Sequence, residues 1–123
     1  MKTIIFDIDN TITRTIGTKY NLAKPIKSRI EMINKLYDKG NIIKIFTSRY
    51  MGKCNGNIQL IKKKFYNKTV NQLNNWGLKY HTLIMGKPIF DIFVDDKAFN
   101  PKDKKLKKIL KNCLLKSNTI LKK

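Results

Sequence analysis

The chain has 123 residues, of which 41% are apolar, so it is long enough for one domain with a buried core. Lys and Arg total 27 against 8 acids, which gives a formal net charge of +19. No apolar run approaches the roughly 20 residues that cross a bilayer, and the N-terminus does not resemble a secretory signal. Cys54 and Cys113 belong to no disulfide or metal-ligand pattern and are expected as reduced thiols. These features predict a cytoplasmic protein with no membrane span.

The high positive charge raises the prior for a nucleic-acid partner. Nearly all the cations are Lys, however, with Arg only at Arg14, Arg29 and Arg49, and Asn and Ile are abundant, as an AT-rich genome would produce. No Arg-rich stripe or RNA-binding aromatic signature is present. We therefore favour compositional bias with a solvated surface, and nucleic-acid binding stays open as the less favoured alternative.

Apolar runs and helical spacings alternate along the chain. Thr3–Ile8 is apolar apart from Asp7 and rich in β-branched residues, as expected of a strand buried on both faces. Residues 12–24 predict a loop or short flap, and residues 50–57 predict another loop. The other predicted elements are a helix from Pro25 to a stop at Gly40, a strand at Ile42–Phe46, a helix at Lys68–Trp76, and strands at Thr82–Met85 and Ile89–Val94.

Residues 101–123 predict a basic amphipathic C-terminal helix, whose last residues are expected to be disordered. Its apolar face is expected to pack on the sheet, and a helix lying on a membrane surface is the alternative. Strands that alternate with helices predict a single α/β domain over residues 1–123, with a mainly parallel sheet. The apolar face of the last helix comprises Leu106, Ile109, Leu110, Cys113 and Leu114.

Polar clusters stand at the ends of all four predicted strands, which is where ligands bind in parallel α/β sheets. The clusters are Asp7-Ile8-Asp9-Asn10-Thr11, Thr47-Ser48-Arg49, Gly86-Lys87-Pro88 and Asp95-Asp96.

These four elements, in this order, resemble the motifs of the haloacid dehalogenase (HAD) superfamily of phosphatases: D-x-D-x-T, a Thr or Ser, a Lys, and an acidic pair. The chain looks closest to short capless members linked to bacterial capsule biosynthesis. That likeness rests on IFTSR at 45–49, N-G-N at 55–57, W-G-x-x-Y at 76–80 and G-K-P-x-x-D-x-x-x-D-D-K-A at 86–98. The resemblance implies a Rossmann-like three-layer fold without a large cap domain. Asn10 stands where Gly is commonest, and Asn tolerates the left-handed backbone of that turn.

The resemblance also implies catalytic roles. Asp7 would attack the phosphorus and form an aspartyl-phosphate, and Asp9 would protonate the leaving alkoxide and then take a proton from water. Lys87 would neutralise Asp7 and the phosphoryl oxygens. Thr47 and the Ser48 amide would hydrogen-bond the transferring group.

A Mg²⁺ cofactor is implied by the same resemblance. Its ligands would be the Asp7 carboxylate, the Asp9 main-chain carbonyl and Asp96. Asp95 would contact these ligands rather than the ion itself. Which acid of the Asp95-Asp96 pair binds the ion directly stays open.

Several further residues border these motifs. Arg49 is predicted to bind a substrate phosphate or carboxylate bidentately. Arg14 and Tyr20 lie on the flap, where substrate contact and simple surface placement are equally open. His81, the single histidine, is expected to be structural. The residues predicted to bind substrate or its phosphate are Ser48, Arg49, Thr11 and Asn10.

The favoured interpretation is a capless, Mg²⁺-dependent phosphomonoester hydrolase. The resemblance suggests a small sugar, polyol or amino-alcohol phosphate used in capsular polysaccharide biosynthesis, with a homo-oligomer left open because a capless site is either exposed or shielded by assembly. A nucleic-acid 3′-end phosphatase is the alternative that the charge favours. A non-catalytic basic binding module is the third interpretation, and it leaves the clustered acids unexplained.

Overall fold

A computed structural model describes residues 1–121 of the chain, with side chains through residue 115. Three parallel strands form its sheet in the order β1-β4-β5, and a small antiparallel hairpin joins β2 to β3. The predicted α/β class with a mainly parallel sheet and no cap domain is confirmed. The elements are β1 Thr3–Phe6, β2 Thr13–Arg14, a 3-10 turn Tyr20–Leu22, β3 Lys24–Pro25, α1 Lys27–Asp38, β4 Ile42–Thr47, α2 Ile58–Asn75, β5 Thr82–Met85 and α3 Lys104–Leu121.

The sheet is built around β4, which pairs on both sides. Ile43 and Ile45 of β4 are fully buried, and they lie level with Ile4 and Phe6 of β1 in the parallel register. The chain continues from β1 into the buried Ile8, so this strand leads directly from the core to the carboxyl edge of the sheet. The acids that follow β1 are therefore held at an edge fixed by apolar packing.

Helix α2 begins ten residues before the predicted start at Lys68, at Ile58. Asn57 caps it, because its side-chain oxygen accepts a hydrogen bond from the Leu60 amide at 3.1 Å. Ile61, Thr69 and Leu73 are buried along one face, and the intervening lysines project to solvent. The predicted boundary was wrong because this run of lysines dilutes the apolar periodicity of the first turns.

The predicted strand at Ile89–Val94 is wrong for this single chain: these residues form no strand and all six are exposed. The main chain is held at the carboxyl edge just before them, where the Lys87 amide donates to the Thr47 carbonyl at 3.0 Å. A parallel strand would have to restart at the opposite edge, about 13 Å away for a strand of four residues. Pro88 alone does not span that distance.

Helix α3 buries the predicted apolar face, but its main contacts are with α1 rather than with the sheet as predicted. Leu110 and Cys113 are buried, Leu106 and Leu114 pack against the core, and the helix contacts α1. Ile109 differs from the prediction, because it is exposed at the border of the apolar face. None of the helices within the described residues is long and apolar enough to cross a membrane. The expected disorder of the chain end falls on residues outside the described part.

Candidate active site

A pocket of about 220 Å³ opens at the carboxyl edge of the sheet. Its polar walls come from the residues that follow β1, β4 and β5, and the flap after β2 closes one side. Three of the four predicted clusters therefore meet in one place, because parallel strands end at the same edge. The pocket is lined by Asp7, Asp9, Gly17, Tyr20, Thr47, Ser48, Arg49, Lys87, Ile89 and Phe90.

Asp7 lines this pocket with 29% of its side chain exposed. One carboxylate oxygen is 3.6 Å from the Lys87 Nζ, and the other accepts a hydrogen bond from the Thr11 hydroxyl at 3.3 Å. Burial raises the pKa of Asp7 above its ordinary value of 3.8, against the opposing effects of Lys87 and of hydrogen bonds from the Ile8 amide and Thr11. The carboxylate is thus partly desolvated, which strengthens its electrostatic interactions, and it keeps a cation beside it.

Asp9 is held by Arg49, and this corrects the predicted role of that arginine. The Nε and Nη2 of Arg49 donate to the two Asp9 oxygens at 2.8 and 2.9 Å, while Nη1 donates to the Gln72 side chain. Arg49 is only 2% exposed. Its Nε and Nη2 are taken by a carboxylate of the same chain and its Nη1 by Gln72, so this buried arginine is not free to bind a substrate anion bidentately.

The loop after β1 orders the acids. Asn10 adopts φ 62°, so the expected left-handed turn is present, and its side chain accepts a hydrogen bond from the Thr15 amide at 3.1 Å. The Thr15 hydroxyl in turn donates to Asp9 at 2.7 Å. Asn10 and Thr11 were predicted to bind phosphate, but the structure places them outside the pocket lining, where they support the loop and Asp7.

Thr47 and Ser48 form the wall that follows β4. The Thr47 hydroxyl accepts a hydrogen bond from the Arg49 amide at 3.1 Å, and the Ser48 hydroxyl donates to the Pro88 carbonyl at 3.4 Å. The bond from Ser48 to Pro88 ties the end of β4 to the segment that carries Lys87, whereas the bond from Arg49 to Thr47 is local. Both hydroxyl residues line the pocket as the sequence predicts.

Lys87 follows a glycine whose conformation is special. Gly86 has φ 99°, and a Cβ at that position would lie 2.8 Å from the Cδ1 of Ile58. Only glycine adopts this backbone readily and leaves room for α2 to pack against it. The orientation of Lys87 toward Asp7 thus depends on the residue before it.

We expect Gly86→Ala to displace Lys87, lowering phosphate release and destabilising the fold by about 1–2 kcal/mol. The matched control is Gly40→Ala, which has a similar φ of 95° but no atom within 4 Å of the new Cβ. Both variants are compared by thermal unfolding and by kcat/KM. Equal losses of activity in the two would contradict a specific role for the turn at Gly86.

Asp95 and Asp96 are not brought into the pocket. Both are exposed, and the Asp95 carboxylate instead accepts a hydrogen bond from the Lys97 amide at 2.7 Å. No group of three or more His, Cys, Asp or Glu within the described residues is arranged to hold a metal ion. Since both Asp9 carboxylate oxygens are engaged by Arg49, Asp7 is the one pocket carboxylate left to a cation. The arrangement within one chain therefore does not fit the predicted Mg²⁺ site.

From the sequence, the role of Gln72 was missed and the roles of Tyr20 and Arg14 were left open. Tyr20 lines the pocket, and its ring centre lies 4.9 Å from the Arg49 guanidinium carbon, whereas Arg14 is exposed. Gln72 reaches the site from α2 and also donates to the Tyr20 carbonyl at 2.8 Å. No local motif marks Gln72, because its role depends on a helix boundary that the pattern did not reveal.

His81 is structural, as expected. Its Nδ1 accepts a hydrogen bond from the Ile43 amide at 3.0 Å, and its ring stacks on Tyr37 with the centres 4.5 Å apart. It lies immediately before β5 and is not among the residues that line the pocket.

Comparison with known proteins shows the fold alone. No family model and no curated protein matches the chain. The chain is similar to the crystal structure of an MCSG target protein from Vibrio cholerae, with a TM-score of 0.78 and 24% sequence identity. The match covers 94% of this chain and 98% of that one. Two chains of nearly matching extent therefore share the same α/β architecture, and the chemistry has to be argued from the pocket.

Proposed function

We propose that the chain is a phosphomonoester hydrolase in which Asp7 is the nucleophile. The observation that carries the proposal is the partly buried Asp7 carboxylate, 3.6 Å from the Lys87 ammonium, in a pocket that Thr47 and Ser48 also line. A carboxylate beside a cation can approach a phosphate dianion, because the cation offsets the repulsion between the two anions. The HAD-like order of the motifs supports the same chemistry.

In the first step of the proposed reaction, an Asp7 oxygen attacks phosphorus and the bond from phosphorus to the ester oxygen breaks. Asp9 enters this step protonated: one of its oxygens leaves the Arg49 pair to carry the proton, and the leaving alkoxide takes that proton. Water then attacks the aspartyl-phosphate and gives a proton to Asp9, so inorganic phosphate leaves and Asp7 is regenerated. Lys87 offsets charge on the phosphoryl oxygens, and hydrogen bonds from Thr47 and Ser48 position them.

Arg49 serves this scheme by positioning Asp9. Two hydrogen bonds to the carboxylate and one to Gln72 fix the side chain in orientation, which matters because proton transfer requires a correctly placed donor. Arg49 is a positioning residue in the proposal, and the substrate phosphate is left to Lys87, Thr47 and Ser48.

The substrate class is proposed as a small phosphorylated sugar, polyol or amino alcohol, by analogy with capsule-biosynthesis phosphatases. The pocket of about 220 Å³ has room for a phosphoryl group and a small hydroxylated body. A nucleic-acid 3′-end phosphatase uses the same chemistry, and the charge of +19 favours it as the second candidate. Mg²⁺ dependence belongs to the proposal, although one chain does not complete the ligand set.

The test is steady-state phosphate release from aryl, sugar, polyol, amino-alcohol, nucleotide and 3′-phosphorylated oligonucleotide esters, each with Mg²⁺ and with EDTA. We expect Mg²⁺-dependent release, with the highest kcat/KM for a small hydroxylated substrate. A preference for the oligonucleotide that weakens steeply with salt would move the substrate assignment to nucleic-acid ends. A folded protein that releases phosphate from none of these esters would contradict the proposed function.

A further inference from the structure

The most prominent exposed apolar feature of the surface is the segment of residues 89–94, whose first two residues, Ile89 and Phe90, also border the pocket. Ile92 is 81% exposed and Val94 is 90% exposed, and Ile89, Phe90 and Phe93 are also large and exposed. Contiguous exposed apolar surface of this kind marks an interaction site in a soluble domain. The composition of the segment, IFDIFV, is that of a β-strand.

A second exposed feature complements the first. Within residues 1–121, β1 pairs with β4 only, so its other edge presents unpaired main-chain groups. Ile5 of β1 is 58% exposed, although parallel sheets normally bury both faces. An open, apolar strand edge is a template for the addition of another strand.

The charge distribution also favours residues 89–94 as the strand that joins the open edge of β1. Residues 88–96 contain no Lys or Arg and hold Asp91, Asp95 and Asp96, three of the eight acids in a chain of net charge +19. This short acidic stretch is therefore attracted to the rest of any copy of the chain, whereas two bodies of +19 repel elsewhere.

The hydrogen bond that holds the Lys87 amide at the carboxyl edge decides whether residues 89–94 join β1 of their own copy or β1 of a second copy. Asp95 reaches Asp7 only if residues 89–94 run parallel to β1, which means that they start at the amino edge of the sheet. In its own copy, the segment starts at the carboxyl edge, where the Lys87 amide is bonded to Thr47. Pro88 does not bridge the length of a strand. A segment arriving from another copy carries no such restriction.

We propose that residues 89–94 add as a strand to the open edge of β1 in a second copy of the chain, and that this places Asp95 and Asp96 of that copy beside Asp7. The inference rests on the proposed function for what the delivered acids do. Exchange in both directions gives a closed two-fold dimer, buries both apolar segments, and brings two further carboxylates to the pocket that contains Asp7.

The first test is the mass of the full chain in solution, together with a cysteine cross-link. When Asp95 stands level with Asp7, Phe93 stands level with Ile5, because each is two residues before its acid. We expect wild type to be a dimer, and a mixture of Ile5→Cys and Phe93→Cys chains to form a mixed disulfide dimer on oxidation, which neither variant forms alone. A monomeric mass without the mixed disulfide would overturn the proposal. So would an internal disulfide in a monomer of the double variant.

A surface variant gives a matched control for the dimer. Ile92→Lys removes apolar contact from the exchanged strand and is expected to give a folded monomer, because this side chain contributes nothing to the core of a single chain. Leu22→Lys makes the same change at another exposed position, 71% accessible, and is expected to stay dimeric. A dimer that persists in Ile92→Lys would contradict the interface.

Complementation tests the delivery of the acids. Asp7→Asn chains and chains carrying both Asp95→Asn and Asp96→Asn are each expected to be inactive. Mixed dimers carry one complete site, so an equimolar mixture is expected to recover about one quarter of wild-type activity. No recovery, with mixed dimers confirmed by mass, would overturn the shared site. If wild type itself turns over no ester, the proposed function fails, while the mass and cross-link still decide the strand exchange.

Discussion

Asp7→Asn is expected to lower kcat for phosphomonoester hydrolysis by about 10³-fold or more, because removing a nucleophile eliminates the covalent route. The carboxamide has nearly the same shape, so the pocket and the packing of β1 are retained. The measurement is steady-state phosphate release with the best ester of the panel. Asp38→Asn is the matched control, since Asp38 is an exposed carboxylate paired with Lys79 at 2.8 Å. Wild-type rates in Asp7→Asn would contradict the assignment.

The same variant is expected to be more stable than wild type at neutral pH. Burial raises the pKa of Asp7 in the folded state above the ordinary value of 3.8, so ionising this group costs folding free energy. Its favourable contribution is complete below pH 3.8 and is lost as pH rises through the raised pKa. An Asn at position 7 does not ionise, so the variant does not lose this folding free energy as the pH rises. We expect its melting temperature to exceed that of wild type at pH 7, with the gap closing toward pH 4.

Activity is expected to depend on the same ionisation of Asp7, but with the opposite sign to stability. Asp7 attacks phosphorus only when ionised, so kcat/KM is expected to fall at acidic pH with a midpoint above the ordinary carboxyl value of 3.8. A pH–rate profile at constant ionic strength measures this limb. An acidic limb at or below the ordinary value would show that burial does not govern the nucleophile.

Arg49→Lys is expected to lower kcat by about 10–100-fold while leaving KM close to wild type. Lys keeps the positive charge but cannot donate to both Asp9 oxygens and Gln72 at once, so the proton-transfer group loses its fixed orientation. If Arg49 instead clasped the substrate phosphate, KM would rise and kcat would change less. Arg14→Lys is the matched control, because Arg14 is an exposed arginine on the flap.

Arg49→Met is expected to be more damaging to the fold. It leaves the partly buried Asp9 without its cation and Gln72 without its donor, at a cost of about 2–4 kcal/mol in unfolding free energy. Urea unfolding of both variants separates this loss from the kinetic one. A kcat in Arg49→Lys that matches wild type would contradict the positioning role, whatever the stability of the Met variant.

The sheet and the three converging clusters were accessible from sequence, because both depend on short-range patterns. β-branched runs such as Ile42–Phe46 report burial directly, and the carboxyl edge follows from parallel topology. Asp7, Thr47 and Lys87 were therefore brought together as predicted. The left-handed turn at Asn10 was also predictable, since few residue types adopt that conformation without strain.

The partners inside the site were not accessible in the same way. Arg49 was assigned to the substrate because an arginine beside a phosphate-binding motif can pair either with a substrate phosphate or with a nearby carboxylate. Only the three-dimensional distances show that its Nε and Nη2 donate to Asp9. Gln72 comes from a helix whose first turns were obscured by lysines. Long-range side-chain pairing of this kind leaves no periodic signature in one sequence.

The segment at 89–94 has the composition of a strand, but within its own chain it cannot reach the open edge of β1 in the parallel direction. The residue pattern indicates that the segment can form a strand, whereas the hydrogen bond between Lys87 and Thr47 limits which sheet edge that strand can reach. The strand prediction is wrong for the single chain, and the strand exchange proposed above gives the same residues a pairing edge in a second copy.

The central claim is a covalent aspartyl-phosphate on Asp7, and trapping it is the most direct test. Wild type is quenched during turnover of the best ester, reduced with borohydride, which converts an acyl phosphate to the alcohol, and mapped by peptide mass spectrometry. We predict homoserine at position 7, dependent on substrate and absent when substrate is omitted. Full turnover with unmodified Asp7, or with homoserine at another acid, would contradict the account.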